Sequence, residues 1–221
     1  MRILFYGDIW ETIICLDCDI STVRKKFYKW RDMGVFNMAY ELMFLQYTKN
    51  RVFKRLFIDS TAIQNKNCSD KNVTYGAHKI KGKKQTKISI ITDSKGCILS
   101  HINSNPRPYD NKFIKPLTKQ LRVNLKKGAT LAGDKGYINK QKIFNVKNKK
   151  IKLIVPKRKN QKRQIKSKKI IKILKKRYIV EQTFSHLKRI YKRLDAVYDR
   201  NITNYNTFLI MAITCQFIKQ L

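Results

Sequence analysis

Acidic side chains are scarce in this chain. Only 14 Asp and Glu stand against 50 Lys and Arg in 221 residues, a formal net charge of +36. So basic a protein repels itself unless it meets a polyanion, which excludes basic partners. The same scarcity makes each carboxylate in an apolar setting informative. Cysteines are few, odd in number and scattered, at Cys15, Cys18, Cys68, Cys97 and Cys215. A disulfide framework is therefore not expected. Cys15 and Cys18 form a lone C-x-x-C with no second pair, and the nearest histidine is His78, short of the four ligands of a structural zinc. Long apolar runs are missing as well. The stretch from Met1 to Tyr6 is too short for the apolar core of a secretion signal. The segment from Phe208 to Ile218 is about half the length a membrane span needs. A reducing, intracellular compartment is the expectation.

What is present is enough apolar material for a core: 43% hydrophobic and 11% aromatic residues exclude a disordered basic tail. The length suits one core of good size, with room for a small extra module. AT-rich coding, which favours Lys, Asn and Ile, accounts for part of the basic excess. Nucleic acid is the partner that accounts for the rest, because its phosphates neutralise Lys and Arg and release counterions.

Along the chain, residues 1–47 read as short helices. Ser21 is placed to cap a helix carrying Val23, Phe27 and Trp30 on one face, with Arg24 and Lys25 beside it. Asp32-Met33-Gly34 breaks it, and a second helix from Phe36 to Tyr47 carries Met38, Leu42 and Leu45. Helix, glycine turn and helix with a basic flank is also a helix-turn-helix-like arrangement. A compact strand is expected to end at Asp59, followed by a polar loop from Gln64 to Lys84. Two strands, Thr86 to Asp93 and Cys97 to Asn103, pair as a hairpin around Asp93-Ser94-Lys95-Gly96. A helix starts near Asp110. A strand from Thr130 ends at Asp134, a short helix covers Lys140 to Val146, and a strand follows from Ile151 to Val155. The run from Lys157 to Lys169 holds eight Lys or Arg and no apolar periodicity. One long helix, about Lys168 to Leu194, and a largely buried helix from Tyr205 to Gln220 close the chain. The order predicts one mixed α/β sheet flanked by helices, with a helical region at 1–50 and the main domain at 51–221.

Three carboxylates stand out. Asp59 and Asp134 each follow an apolar strand, and the carboxyl ends of strands are the usual ligand side of α/β sheets. Glu181 shares a helix face with Arg177, Ser185 and Lys188 at spacings of four, four and three, next to an apolar stripe of Ile173, Val180, Phe184, Leu187, Tyr191 and Leu194. Three carboxylates repel one another unless a cation intervenes. Oxygen ligands without cysteine or histidine suit Mg²⁺ or Mn²⁺ rather than Zn²⁺. Two such ions can promote phosphodiester cleavage. Each piece also has a plain reading: Asp59-Ser60-Thr61 as a cap, Gly133-Asp134-Lys135-Gly136 as a turn, and Glu181 as an ion-pair partner of Arg177. His101 is expected to be packed, and His186 to face away from Glu181.

Phe57-Ile58-Asp59-Ser60-Thr61, Ala132-Gly133-Asp134-Lys135-Gly136-Tyr137, and Arg177 with Glu181 and Lys188 together resemble the DDE transposases of bacterial insertion sequences. The first resembles that family's first-Asp strand, the second its Asp-x-Gly-Tyr motif, and the third its Tyr-x-x-Arg-x-x-x-Glu-x-x-x-x-x-x-Lys signature. Leu174 stands at the signature's tyrosine position. Gly76 to Ile88 and Pro108-Tyr109-Asp110 resemble further segments of the family, and the helical region looks short at its front beside relatives. The resemblance implies an RNase H-like five-stranded core. It implies two Mg²⁺, or Mn²⁺, held by Asp59, Asp134 and Glu181, and DNA cleavage with strand transfer. Arg177 and Lys188 would hold phosphates at the transposon end. Arg189 and the run with Lys157, Arg158 and Lys159 would add grip on the backbone, as would Arg24 and Lys25 from the first region. The implied partner is double-stranded DNA, bound by a homodimer, in the nucleoid of a bacterial cytoplasm or in a eukaryotic nucleus. Two other readings fit the same residues: a nuclease that only cuts, and an inactive or truncated remnant that only binds DNA.

Overall fold

The computed structural model describes residues 1–12, 18–68, 74–75, 83–147, 149–157 and 167–221. Its first part is helical: α1 (Arg2–Tyr6), α2 (Ile20–Asp32) and α3 (Val35–Thr48). The cap of α2 is Asp19 rather than Ser21; its carboxylate accepts the Ser21 N–H at 2.6 Å and so satisfies one free donor of the first turn. Gly34, at φ +73°, turns the chain from α2 into α3, a backbone setting open to glycine at no steric cost. Phe27 of α2 packs among Trp10, Phe36 and Phe208, with ring centroids 5.3, 5.5 and 5.0 Å away.

Among the described residues eight strands follow: β1 (Val52–Asn65), β2 (Thr74–Tyr75), β3 (Lys84–Thr92), β4 (Ile98–Ser104), β5 (Asn124–Ala132), β6 (Ile143–Val146), β7 (Lys149–Ile154) and β8 (Ala196–Val197). The long strands lie side by side in the order β4, β3, β1, β5, β7, with β6 at the far edge; β2 pairs antiparallel with the start of β3, and β8 joins β1. The hairpin β3–β4 is antiparallel, as is β1 with β3, whereas β1–β5 and β5–β7 are parallel. This is the mixed sheet of an RNase H-like core, as expected.

Three expectations are corrected. Asp59 does not end its strand: β1 runs on to Asn65, paired with β3. The segment Lys140 to Val146 is not a helix. Phe144 and Val146 are buried while Ile143 and Asn145 are exposed, a period of two that suits a strand, and β6 pairs antiparallel with β7. The long helix is two: α5 (Lys168–Lys175) and α6 (Tyr178–Ile190). At the break, the N–H groups of Lys176 and Arg177 reach back three residues, to Ile173 and Leu174, the tighter 3₁₀ pattern. The apolar stripe survives the break, because Ile173, Val180, Phe184, Leu187, Tyr191 and Leu194 are all buried.

A 3₁₀ turn, Asp110–Phe113, leads into α4 (Ile114–Gln120), and α7 (Ile202–Ile218) closes the chain. The core is one cluster in which Leu56, Phe57 and Ile58 of β1 and Tyr205, Phe208, Ile213 and Phe217 of α7 take part. Among the described residues no helix is long and apolar enough to cross a membrane. Cys68, Cys97 and Cys215 are free thiols, while Cys15 lies outside the described residues.

His101 of β4 is packed, as expected, with the ring of Tyr40 edge-on at 6.2 Å. Burial pulls its pKa down to about 4. The unfolded chain takes up that proton first, near pH 6.5. His101 therefore costs stability as pH falls from about 6.5 toward 4. Replacing it with Phe should remove roughly 2 kcal/mol of that acid-side loss, read as urea unfolding of both proteins at pH 7 and pH 4.5. An unchanged difference between the two pH values would contradict this.

Candidate active site

Parallel pairing sets the first two carboxylates side by side. Phe57 of β1 is level with Ala132 of β5, and Asp59 and Asp134 each come two residues later. Beyond Ala132, β5 stops while β1 continues, so Asp59 sits where the sheet opens on that side. Gly133 makes the close approach possible. A Cβ there would lie 2.9 Å from Ile58 Cγ2 and 3.0 Å from the Tyr137 ring.

Asp134 then caps the turn Lys135–Tyr137, its Oδ1 accepting the Gly136 N–H at 2.8 Å. That turn drives Tyr137 into the core, where its hydroxyl lies 2.6 Å from Ser60 Oγ, itself 2.6 Å from Ser89 Oγ. Burial pushes the Tyr137 hydroxyl far above its usual value. The Ser60 hydrogen bond opposes the shift, while the charges of Asp110, Asp59 and Asp134 add to it. Tyr137 therefore stays protonated and pins the Asp134 turn to the residue beside Asp59.

Glu181 arrives from α6. Arg177, at the break before α6, places one guanidinium nitrogen 2.5 Å from Glu181 Oε1 and the other 3.7 Å from Asp59 Oδ2. The Asp59 carboxylate also accepts the Ser60 N–H at 2.9 Å. One cation thus ties the strand carboxylate to the helix carboxylate. The break in the helix matters here, because it leaves Arg177 in the joint between α5 and α6.

A fourth carboxylate, missing from the expectations, stands by Asp134. Asp110 Oδ1 pairs with Lys87 Nζ at 2.9 Å, and that ammonium also donates to the Pro108 carbonyl at 2.6 Å. A Cβ on Gly136 would lie 3.0 Å from Asp134 Oδ1 and 3.2 Å from Asp110 Oδ2. The available signals were the Pro108-Tyr109-Asp110 segment and Lys87 just before the apolar run of the strand β3; neither announces a site without the fold.

The donors are all carboxylate oxygens, which fits a hard divalent cation such as Mg²⁺. Among the described residues, no three His, Cys, Asp or Glu side chains already converge as a ready-made metal-holding group. A cation shared by Asp59 and Glu181 would compete with the Arg177 guanidinium for the same oxygens.

Of the other expected residues, Lys188 is half-buried and Arg189 exposed on α6. Lys157 is exposed just beyond β7, whose Ile154 is level with Ala132, so it leaves the sheet at the same end as Asp134. Arg158 and Lys159 lie outside the described residues, as does His78. On α2, Arg24 pairs with Glu11 at 3.3 Å and Lys25 is exposed; the carboxylates stand on other elements. Leu174 is half-buried against the core.

Residues 51–215 match the family model of the transposase DDE domain. No curated protein matches the chain. Among solved structures, the chain is similar to the piggyBac transposase in the cryo-EM structure of its synaptic complex with hairpin DNA. The TM-score is 0.55 at 12% identity, over 89% of this chain and 53% of that one. At that identity the likeness is one of fold. The chain spans about half the length of that transposase.

Gly136→Ala should leave the fold intact, because the atoms it meets are side-chain ends that can shift. It should instead displace the Asp134 and Asp110 carboxylates by a few tenths of an ångström. The expected outcome is an unchanged melting temperature with weakened Mn²⁺ binding, read by the paramagnetic resonance of free Mn²⁺. Undiminished Mn²⁺ binding would show that this turn does not set the site.

Proposed function

The chain belongs to the transposase DDE domain family, and on that footing we propose that it cuts DNA at the ends of an insertion sequence and joins those ends to new DNA, with Asp59, Asp134 and Glu181 as its metal-holding carboxylates. The observation that supports this reading is the Phe57–Ala132 register, from which Asp59 and Asp134 each stand two residues beyond the last β1–β5 pair, with Arg177 linking Asp59 to Glu181.

Transposases of this family work with divalent metal ions, and Mg²⁺ is the ion proposed here, with Mn²⁺ as its substitute. When bound, a pair of such ions activates a water or a 3′-hydroxyl and stabilises the departing oxygen. The chain's own residues hold and orient. Tyr137 and Ser60 fix the Asp134 turn against β1. Arg177 balances Asp59 and Glu181, and its planar guanidinium is suited to a two-pronged grip on a phosphate once those carboxylates have another cation. Lys188, Arg189 and Lys157 supply point charges for the backbone, and Arg158 and Lys159 continue the run. Arg24 and Lys25 do the same from the helical region at 1–50. Such contacts position DNA without reading its sequence. The partner is double-stranded DNA, engaged by two copies so that paired ends are processed together. The synaptic DNA complex of the structurally similar piggyBac transposase supports that partner.

A remnant that binds DNA without cutting is the competing reading, and the hold of Arg177 on both Asp59 and Glu181 favours it. Incubating the protein with duplexes carrying the flanking inverted repeats separates the two. The active reading expects nicking that requires Mg²⁺ or Mn²⁺. It also expects Asp134→Asn to lose roughly two orders of magnitude or more in rate, the scale of removing one charge-stabilising group, with DNA affinity unchanged. Binding without cutting in either metal would establish the remnant. Independently, Arg189→Ala should lower the slope of log affinity against log salt by about one, the signature of a single lost phosphate contact.

A further inference from the structure

Lys87 is a lysine turned inward. It lies on β3, level with Ala62 of β1 and Ser104 of β4, and its side chain is only 14% exposed. An ammonium group withdrawn this far from water needs oxygen partners in its place. Two come from one short segment: the Asp110 carboxylate at 2.9 Å and the Pro108 carbonyl at 2.6 Å. The same ammonium lies 5.6 Å from the centre of the Phe113 ring. Lys87 thus fastens the stretch from Pro108 to Phe113, the entry to α4, onto the strand that pairs with the one carrying Asp59.

The fastened stretch then holds the Asp134 turn. Asp110 divides its carboxylate: Oδ1 takes the Lys87 ammonium, while Oδ2 closes on Gly136, the residue whose N–H Asp134 Oδ1 accepts. One residue on, Asn111 Nδ2 donates to the Ile138 carbonyl at 3.3 Å, just past the turn. The charge of Asp110 reaches the buried Tyr137 hydroxyl together with those of Asp59 and Asp134. The turn is therefore clasped from two sides. Tyr137 and Ser60 hold it to β1 from within. Asp110 and Asn111 hold it from the other side, with Lys87 behind them. The Asp110 side chain is 28% exposed, so water screens this ion pair less than one on an open surface.

We propose that Lys87 and Asp110 are positioning residues for Asp134: their ion pair fixes the turn that presents the Asp134 carboxylate beside Asp59, and so sets the spacing at which the two share a divalent cation. The inference rests on the proposed function and deepens its account of the metal-holding carboxylates. Neither residue touches the reacting atoms. Asp110 acts through the turn, and Lys87 acts through Asp110. The pair behaves as one unit, so losing both members costs no more than losing one.

Mn²⁺ binding by the full chain, read by the paramagnetic resonance of free Mn²⁺ beside the melting temperature, tests this without DNA. Asp110→Ala and Lys87→Met should each weaken Mn²⁺ binding by about tenfold or more, the scale of removing a group that orients a metal ligand. The double variant should lose no more than either single one. Asp110→Asn should keep most of the affinity, because its carboxamide oxygen still accepts from Lys87. Lys87→Met keeps the aliphatic stem packed, so the test survives if Asp110→Ala does not fold. Equal losses in Asp110→Ala and Asp110→Asn would make Asp110 a direct holder of the ion and overturn the proposal. Losses that add in the double variant overturn it too, as do lowered melting temperatures with Mn²⁺ affinity unchanged, the mark of a merely structural strut. Nicking of inverted-repeat DNA keeps the two conclusions apart. If the wild type nicks while the variants bind Mn²⁺ as it does, the pair is no positioning device and the function stands. If the variants lose the ion as expected yet the wild type never cuts, the positioning stands and the active reading falls. A wild type that binds no Mn²⁺ overturns both.

Discussion

The parallel pairing of β1 with β5 is the constraint on which the site depends. Pairing register moves in whole residues, and a slip by one turns every side chain to the other face. With Phe57 level with Ala132, Asp59 and Asp134 leave the pairing at the same height. The buried Leu56, Phe57, Ile58, Leu131 and Ala132 hold that register, because any slip would carry apolar side chains to water and polar ones into the core. Gly133 then permits the close approach of the two strand segments, and Tyr137 and Ser60 lock the outgoing turn. The position of Asp134 is thus set from behind by packing, not by its own interactions alone.

Electrostatics follow from the same placement. Carboxylates gathered where β5 ends beside β1 need positive charge nearby. Arg177 supplies it for Asp59 and Glu181, and Lys87 for Asp110. Both cations are partly buried, with side chains exposed to 25% and 14%, so water screens these pairs less than it would on an open surface. The basic excess of the whole chain thereby has two uses: a few residues serve as local counter-ions, while the exposed ones suit a polyanion. α3 stands apart from both, since it has no basic residue to offer.

Much of the fold was legible because burial leaves a period. The stripe from Ile173 to Leu194 was visible in sequence and is buried throughout. The hairpin of β3 and β4 and the terminal helix α7 were visible too. The misread elements are those where local pattern is ambiguous. Four residues, Ile143 to Val146, are too few to separate a period of two from 3.6, and β7 alone decides that β6 is a strand. α3 holds two apolar sets, and nothing local says which faces inward. The rings of Tyr40, Phe44 and Tyr47 win because they meet Phe217, a residue far along the chain.

By itself the sequence made Asp59, Asp134, Arg177 and Glu181 stand out, because acids are rare and their spacing to apolar runs is local. It also determined the basic character of the surface and the mixed α/β order of the core. Only the tertiary structure decided that Asp59 lies within a strand rather than at its end, that a helix break puts Arg177 between two carboxylates, and that Asp110, paired with Lys87, stands beside Asp134. Those are contacts between residues distant in the chain. Their geometry depends on strand register and core packing, which no local pattern of residues encodes.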